Sequence, residues 1–517
     1  MVFFINKEIG VRLLSVAIFI VLTSIGLVFS SWFIYSAGST YMFLLALCFM
    51  ALTLISGFFN IFTSYSYYRS YFYTDYINKI SSRLKPLLKF PTVAIAVPVY
   101  NEDPKFVKKN MLRLKDLEYP KDKIVYYLLD DSTDKSIRSE LEKFSALNGI
   151  RYIHRNNRKG FKAGALNNML KNSKEEFIAI FDYDEYITNT KFLMDLLPYF
   201  QDKKLSYLQT EKRYFKNSFF SDTIDLFDAF FFKFIQPARA LNNTAIFAGS
   251  CGILRKSYLQ KIGGFPEYII EDTFFSFESD IHGYKSLFIP KVYAHGKPIN
   301  RFTELVKQQW RYNYGDTQFV GYFFKRSKNN RKNLSPLSRI DYMTHGFGLN
   351  YISIVLLLFT MLSILIVFGQ LSGQVFSVKN ILNSSNIGFD LEILGISAFA
   401  LSIVAPAILT KMYFKSLRKG LMIFLLNFSL AFIRTKAAVA AVLNMKGKTM
   451  WSGRKMNIND RQFTYSLKNS MMEVSFSIVL FAFSAIAMGI DNMYGAMWLL
   501  WYGILYISTF FLFYKYG

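Results

Sequence analysis

The sequence predicts an α/β domain with a mostly parallel, Rossmann-like sheet, inserted between α-helical transmembrane segments. Three observations carry this reading. Apolar runs long enough to cross a bilayer gather at the two ends of the chain. Between them, short apolar β-type runs alternate with polar helical stretches, the texture of strands buried on both faces by crossover helices. Three of those strands also end in polar or acidic residues: Tyr100-Asn101-Glu102, Asp130-Asp131 and Asp182-Tyr183-Asp184.

The membrane segments come first. The chain of 517 residues is 52% hydrophobic and 18% aromatic, with a mean hydropathy of +0.21. Only membrane spans absorb so much apolar sequence easily. Apolar runs lie roughly at 11–35, 41–64, 347–369, 393–409, 422–443, 474–490 and 494–513. The segments after the second, fourth and fifth runs are rich in Lys and Arg and are expected on the cytoplasmic face. The fifth run would then start and finish on one side, and it contains Arg434 and Lys436, which are costly in hydrocarbon. It is therefore read as an interfacial helix, leaving six spans; the alternative is seven spans with one basic loop outside. The expected organisation is two transmembrane helices (1–66), a basic juxtamembrane linker (67–90), the α/β domain (91–320) and an interfacial segment (321–346). Two transmembrane helices (347–412), the interfacial helix (413–445), a cytosolic loop (446–471) and two last transmembrane helices (472–517) follow.

Composition also excludes. The net charge of +25 is compatible with nucleic acid. The Lys and Arg residues lie largely beside the spans, where anionic lipid is the simpler partner, and no nucleic acid is expected. Cys48 and Cys251 form no repeated spacing, which argues against a disulfide framework or zinc site. There is no G-x-x-x-x-G-K-[ST] and no G-x-G-x-x-G after a strand, which argues against an ATPase or a dehydrogenase.

The middle region supplies the chemistry. V-A-I-A-V ends at Pro98, I-V-Y-Y-L-L ends at Asp130, and F-I-A-I-F ends at Asp182. Side by side, these ends would form one acidic crevice beyond the carboxyl edge of the sheet, where ligands of such folds bind. Unpaired carboxylates repel. A hard divalent cation, Mg2+ or Mn2+, relieves the repulsion and carries a phosphorylated ligand with it. The bland alternative is a set of solvated loops.

Several motifs then line up in order across residues 91–318. They are P-V-Y-N-E (98–102), D-D-S-T-D (130–134), R-K-G-F-K-A-G-A-L-N (158–167), D-Y-D, G-S-C-G-I-L-R-K (249–256), G-G-F, I-E-D-T (270–273) and Q-Q-W-R-Y-N-Y-G-D-T-Q (308–318). Together they resemble the family 2 glycosyltransferases, with a glycosyltransferase A-type domain. The flanking spans resemble the membrane-embedded processive branch, the cellulose, hyaluronan, chitin and mannan synthases.

The resemblance implies an inverting hexosyltransferase that takes a nucleotide-diphosphate sugar, a UDP-sugar above all. It implies Asp184 and Asp182 as the Mg2+ or Mn2+ site and Asp272 as the general base that takes the acceptor's proton. Tyr100, Glu102, Asp131, Lys162, Asp182 and Arg311 would bind the donor, and Cys251, Gln308 and Tyr312 the acceptor. Each has another reading: Asp272 as a helix N-cap, Lys162 as a solvated helix charge, Arg311 as a membrane-surface anchor. Asp134 reads as a turn residue and His295 as structural.

Two departures stand out. The Trp that closes the family's Q-x-x-R-W is Tyr312 here, with a Trp displaced to position 310. M-W-S-G-R-K (450–455) is a loose version of the family's gating loop, with Trp451 capping the site and Arg454 or Lys455 reaching the diphosphate. It is equally a basic juxtamembrane loop.

The implied product is a β-linked polysaccharide elongated and passed across the cell membrane, with the catalytic domain in the cytoplasm. The alternative is a single transfer to a polyprenyl-phosphate or lipid acceptor. A membrane channel with a regulatory nucleotide-binding domain is the reading from another class, and it would leave Asp272 without a task. Nucleotide sugar, a glycan or lipid-linked acceptor and membrane lipids are the expected partners. An accessory subunit or a homo-oligomer is left open.

Overall fold

The computed structural model describes residues 2–329, 333–373, 411, 415–445 and 462–517. They form two compact units. One gathers Met1–Tyr68, Ile299–Tyr314 and Phe347–Gly517; the other gathers Arg69–Pro298 and Gly315–Gly346.

The first unit is helical. Five described helices are long and apolar enough to cross a bilayer: Arg12–Tyr35, Thr40–Ser81, Tyr351–Leu371, Met471–Gly489 and Gly495–Tyr516. The run expected at 393–409 lies outside the described residues, as do Trp451, Arg454 and Lys455. The stretch read as an interfacial helix forms two helices, Leu417–Ser429 and Ala431–Val442, bent by 41°. By length and composition this pair is a broken span or a re-entrant loop. Arg434 is fully buried in it. Its Nε donates to Gln309 Oε1 at 3.0 Å and its Nη1 to Asn427 Oδ1 at 3.2 Å, acceptors that a buried guanidinium requires.

The second unit is built on one eight-stranded sheet. Its strands are β1 (Val93–Val99), β2 (Ile124–Asp130), β3 (Arg151–His154), β4 (Phe177–Ile180), β5 (Glu185–Ile187), β6 (Leu205–Tyr214), β7 (Gly252–Arg255) and β8 (Lys285–Gly296). The spatial order is β3-β2-β1-β4-β7-β6-β8-β5. From β3 to β4 every pairing is parallel, as the continuous apolar runs predict. Beyond β4 the sheet is mixed. β7 runs antiparallel to β4 and β6, β8 is parallel to β6, and β5 is antiparallel to β8.

The side-chain period of two divides the strands between two cores. Val93, Ile95 and Val97 of β1 face one core with Val107, Met111 and Leu114 of the helix Pro104–Leu114. Ala94 and Ala96 face the other, with Ala163, Leu166 and Met169 of the helix Phe161–Asn172. Alanines at both surfaces let that helix sit close to the sheet, which fixes where its N-terminus falls.

The structure changes two boundaries. Residues 67–81, expected as part of a linker, continue the helix Thr40–Ser81. No Pro or Gly interrupts the sequence there, and the end of the helix has its own buried face. Tyr73 and Ile77 are buried in the α/β core, and the Tyr73 hydroxyl donates to the Phe288 carbonyl of β8. Of the segment 321–346, expected as interfacial, residues 321–329 close the helix Phe302–Asn329 and residues 336–346 open the helix Pro336–Leu371, and both stretches belong to the α/β unit.

Candidate active site

β1 lies between β2 and β4, so successive connections leave it in opposite directions and open a crevice at its carboxyl end. The three polar strand ends picked out in the sequence are therefore neighbours: Val99 pairs with Asp130, and Ala96 with Ile180.

The first two turns are tied by one side chain. Asn101 adopts φ 50°, a left-handed conformation that Asn tolerates. Its amide N–H donates to Ser132 Oγ at 2.8 Å, and its Oδ1 accepts from the backbone N–H groups of Thr133 and Asp134. Asp134 caps the helix Lys135–Leu147, accepting from Ser136 and Ile137 N–H. Tyr100 lies beneath the Arg158 guanidinium, 3.1 Å from its ring centroid. Glu102 is hydrogen-bonded to Tyr183 of D-Y-D; burial pushes its carboxyl up, against the pull of that bond and of Lys297. Asp131 is buried and already paired: Arg155 Nε donates to its Oδ1 at 2.8 Å, and Arg155 Nη2 reaches its Oδ2.

The helix Phe161–Asn172 starts at Gly160, whose φ of 72° turns the chain into it. This places Lys162 in the first turn, with Nζ 2.5 Å from Asp182 Oδ1. The antiparallel course of β7 brings a second segment to the same place. Cys251 N–H donates to the Ile180 carbonyl at 2.8 Å, so Gly249-Ser250-Cys251 lies across the carboxyl end of β4. Ser250 Oγ lies 2.8 Å from both Asp182 Oδ2 and Glu185 Oε1. It accepts from Lys212 Nζ at 2.6 Å, and Lys212 also meets Glu185 Oε1 at 2.8 Å.

These contacts split the D-Y-D pair electrically. Burial would raise Asp182, but Lys162 and Lys212, with hydrogen bonds from Lys162 and Ser250, hold it well below the usual carboxylate range. Asp184 goes the other way: burial, then the charges of Asp182 and Glu185, push it up to about 7.

Asp272 sits in the first turn of the helix Glu271–Ile281 without being its cap; the N-cap is Ile270, which has no side chain to serve. Asp272 Oδ1 accepts from Thr273 N–H at 2.8 Å. Its Oδ2 would stand 3.1 Å from a Cβ placed on Gly249, and Lys162 Nζ 3.6 Å from the same point. Gly249 (φ +81°) is thus where Asp272 and the D-Y-D network meet. Asp316 is buried nearby; burial and the charge of Asp272 hold its carboxyl well above the usual range. It is positioned by Gly315, whose lack of a side chain lets the helix Phe302–Asn329 press on Ile270.

The structure therefore brings together Tyr100, Glu102, Asp131, Lys162, Asp182, Asp184 and Asp272. Cys251 also lies there, but its thiol is buried against Glu185 rather than open to an acceptor. Gln308, Arg311 and Tyr312 belong to the helical unit. His295 lies in β8, its Nδ1 3.1 Å from Thr188 Oγ1. Sequence reading missed Lys212, Ser250, Arg155 and Asp316. A lysine in the run L-S-Y-L-Q-T-E-K was the one available signal, since a buried strand admits a lysine only with a partner.

Residues 94–263 match the model of the family Glycosyl transferase family 2. Over 237 residues the chain is 31% identical to the cellulose synthase catalytic subunit [UDP-forming] of Pseudomonas fluorescens, covering 44% of this chain and 32% of that protein. Over 240 residues it is 28% identical to probable glucomannan 4-beta-mannosyltransferase 7 of Oryza sativa, covering 44% of this chain and 41% of that protein. The chain thus spans well under half the length of these relatives. Among solved structures it is similar to mannosyltransferase PcManGT from Pyrobaculum calidifontis in complex with GDP-Man and Mn2+. That likeness has a TM-score of 0.49 and 16% identity, over 74% of this chain and 97% of that one. The strand-end crevice and the family match fall on the same residues, and residues 94–263, within the mixed-sheet α/β unit, form a family 2 glycosyl transferase domain of the glycosyltransferase A-like type.

Proposed function

We propose that the chain is an inverting, metal-dependent membrane glycosyltransferase. It takes a UDP-sugar, elongates a β-linked polysaccharide and passes it across the cell membrane, with the catalytic domain on the cytoplasmic side. The observation that carries this reading is the meeting of Asp272, Lys162 and the D-Y-D carboxylates around Gly249.

The residues fit a divalent cation. Asp184 is a carboxylate that burial and two like charges disfavour, and a hard cation reverses that balance. Among the described residues no three His, Cys, Asp or Glu side chains form a ready cage. That suits Mg2+ or Mn2+, which bind through one or two carboxylates together with substrate phosphates. Asp184 would hold the ion and Asp182 would border it. Bound there, it would neutralise the charge of the departing nucleoside diphosphate.

The other roles fall to the chain's own groups. Tyr100 and Glu102 border the space for the nucleoside. Lys162 offers an ammonium group to the diphosphate. Asp272 accepts the proton of the acceptor hydroxyl as it attacks, a step that contributes roughly 10²–10⁴-fold in rate. Asp316 is buried close enough to feel the charge of Asp272, and burial with that charge holds the Asp316 carboxyl well above the usual range.

The bilayer-length helices favour a polymer or lipid acceptor over a soluble one. Tyr312 in place of the family's Trp favours the second reading, a single transfer to a polyprenyl-phosphate or lipid.

The test is nucleotide release by the purified protein in nanodiscs, with a panel of UDP- and GDP-sugars and Mg2+ or Mn2+. Release with one donor, abolished by EDTA, by Asp184→Asn and by Asp272→Asn, is expected; product size then separates polymer from single transfer. If no donor bound in the presence of metal, the reading would fail at its centre.

A further inference from the structure

The D-Y-D-E segment carries three carboxylates, yet two of them already have cations of the protein's own. Lys162 Nζ lies 2.5 Å from Asp182 Oδ1. Lys212 Nζ lies 2.8 Å from Glu185 Oε1 and 3.6 Å from Asp182 Oδ2. Ser250 Oγ ties Asp182, Glu185 and Lys212 together. Asp184 has no salt bridge among the described residues. The arrangement is built, not incidental. Side-chain exposure is only 23% for Lys212 and 4% for Glu185. The β6–β8 register also breaks here, passing from Glu211 opposite Val292 to Arg213 opposite His295, with Lys212 between. Irregular pairing of this kind re-aims side chains beside functional sites. Its neighbour Arg213 serves Asp225 instead.

We infer that Lys212, with Lys162, is a built-in counter-charge that makes divalent-cation binding at Asp184 depend on the diphosphate of the donor. The inference rests on the function proposed above. Three carboxylates against two ammonium groups leave one net negative charge, a poor site for a lone divalent ion. A diphosphate supplies the missing negative charge and oxygen ligands, so cation and donor bind as a pair. Lys212 is a positioning residue in this scheme: it acts through Asp182 and Glu185.

The experiment is Mn2+ binding to the full chain in nanodiscs, followed by the EPR signal of free Mn2+, with no donor and then with UDP or GDP. One charge removed within about 8 Å of a divalent ion is worth at least about tenfold in affinity at an effective dielectric near 20. Lys212→Met is therefore expected to bind Mn2+ alone at least about tenfold more tightly than the wild type. Lys212→Arg should match the wild type. Lys212→Met/Glu185→Gln, which restores the net charge, should fall back to it. UDP or GDP should tighten Mn2+ binding strongly in the wild type and less in Lys212→Met.

A folded Lys212→Met that binds Mn2+ no better than the wild type overturns the inference. If Lys212→Met fails to fold, Lys162→Met replaces it, with the same direction expected and the same overturning result. An effect of UDP or GDP on the wild type without tightening in the variant sinks the counter-charge and leaves the transferase standing. Tightening in the variant with no effect of either nucleotide overturns the donor dependence, and the transferase reading with it.

Discussion

Gly249 offers a direct test of Asp272. In Gly249→Ala two costs arise, and they separate. The residue has φ +81°, where a side chain costs about 1–2 kcal/mol. For a unit of this size that is a fall in Tm of about 3–6 °C. In addition, the new methyl would stand 3.1 Å from Asp272 Oδ2, so the carboxylate must give by a few tenths of an ångström. A misplacement of 1 Å costs about a hundredfold in rate, and the smaller shift predicts about a tenfold loss in kcat. Gly263→Ala is the control. Its φ is +91°, and nothing lies within 4 Å of the added Cβ. It pays for the backbone alone. Thermal melts and nucleotide-release kinetics on the two variants are the assay. Both should lose similar stability, and only Gly249→Ala should lose kcat. If Gly249→Ala turned over at the wild-type rate, or if both variants lost kcat equally, contact with Asp272 would not govern the chemistry.

Two further predictions concern stability. Burial, outweighing the hydrogen bond from Tyr214 and aided by the charge of Asp225, pushes Asp228 up to about 6. The folded chain therefore holds more protons than the unfolded one between about pH 4 and 6. Stability from this group is fully present below about pH 4 and is lost as pH rises through about 6. Asp228→Asn should be more stable than the wild type by about 1–2 kcal/mol at pH 7 and equal to it near pH 4, as read by urea unfolding. An equal gain at both pH values would refute the assignment. Arg155→Met should cost about 3 kcal/mol, because it leaves Asp131, 6% exposed, without its cation. An unchanged Tm would mean that the pair is not buried as described.

The sequence by itself determined the strands and what stands at their ends. Apolar runs closed by Asp130 and Asp182 state both facts locally, and the structure adds that β1 lies between β2 and β4, so that the ends are neighbours. It also determined the bilayer-length runs that the described helices match, since twenty apolar residues need no tertiary context to be recognised. The helical end of 67–81 was hidden because Tyr73, on its buried face, finds its partner Phe288 more than two hundred residues away in β8.

Only the tertiary structure decided how the carboxylates are used. The pairings of Asp131 with Arg155, Glu185 with Lys212 and Asp316 with Asp272 join segments that are separate in the chain. No local period or spacing encodes them. Cys251 shows the same limit, since its motif points to an acceptor while the turn at φ +54° buries its thiol against Glu185. The residue types at a strand end fix which chemistry is available there. Which of those charges stays free to act depends on what the rest of the fold packs beside them, because electrostatic interaction follows distance in space and not distance along the chain.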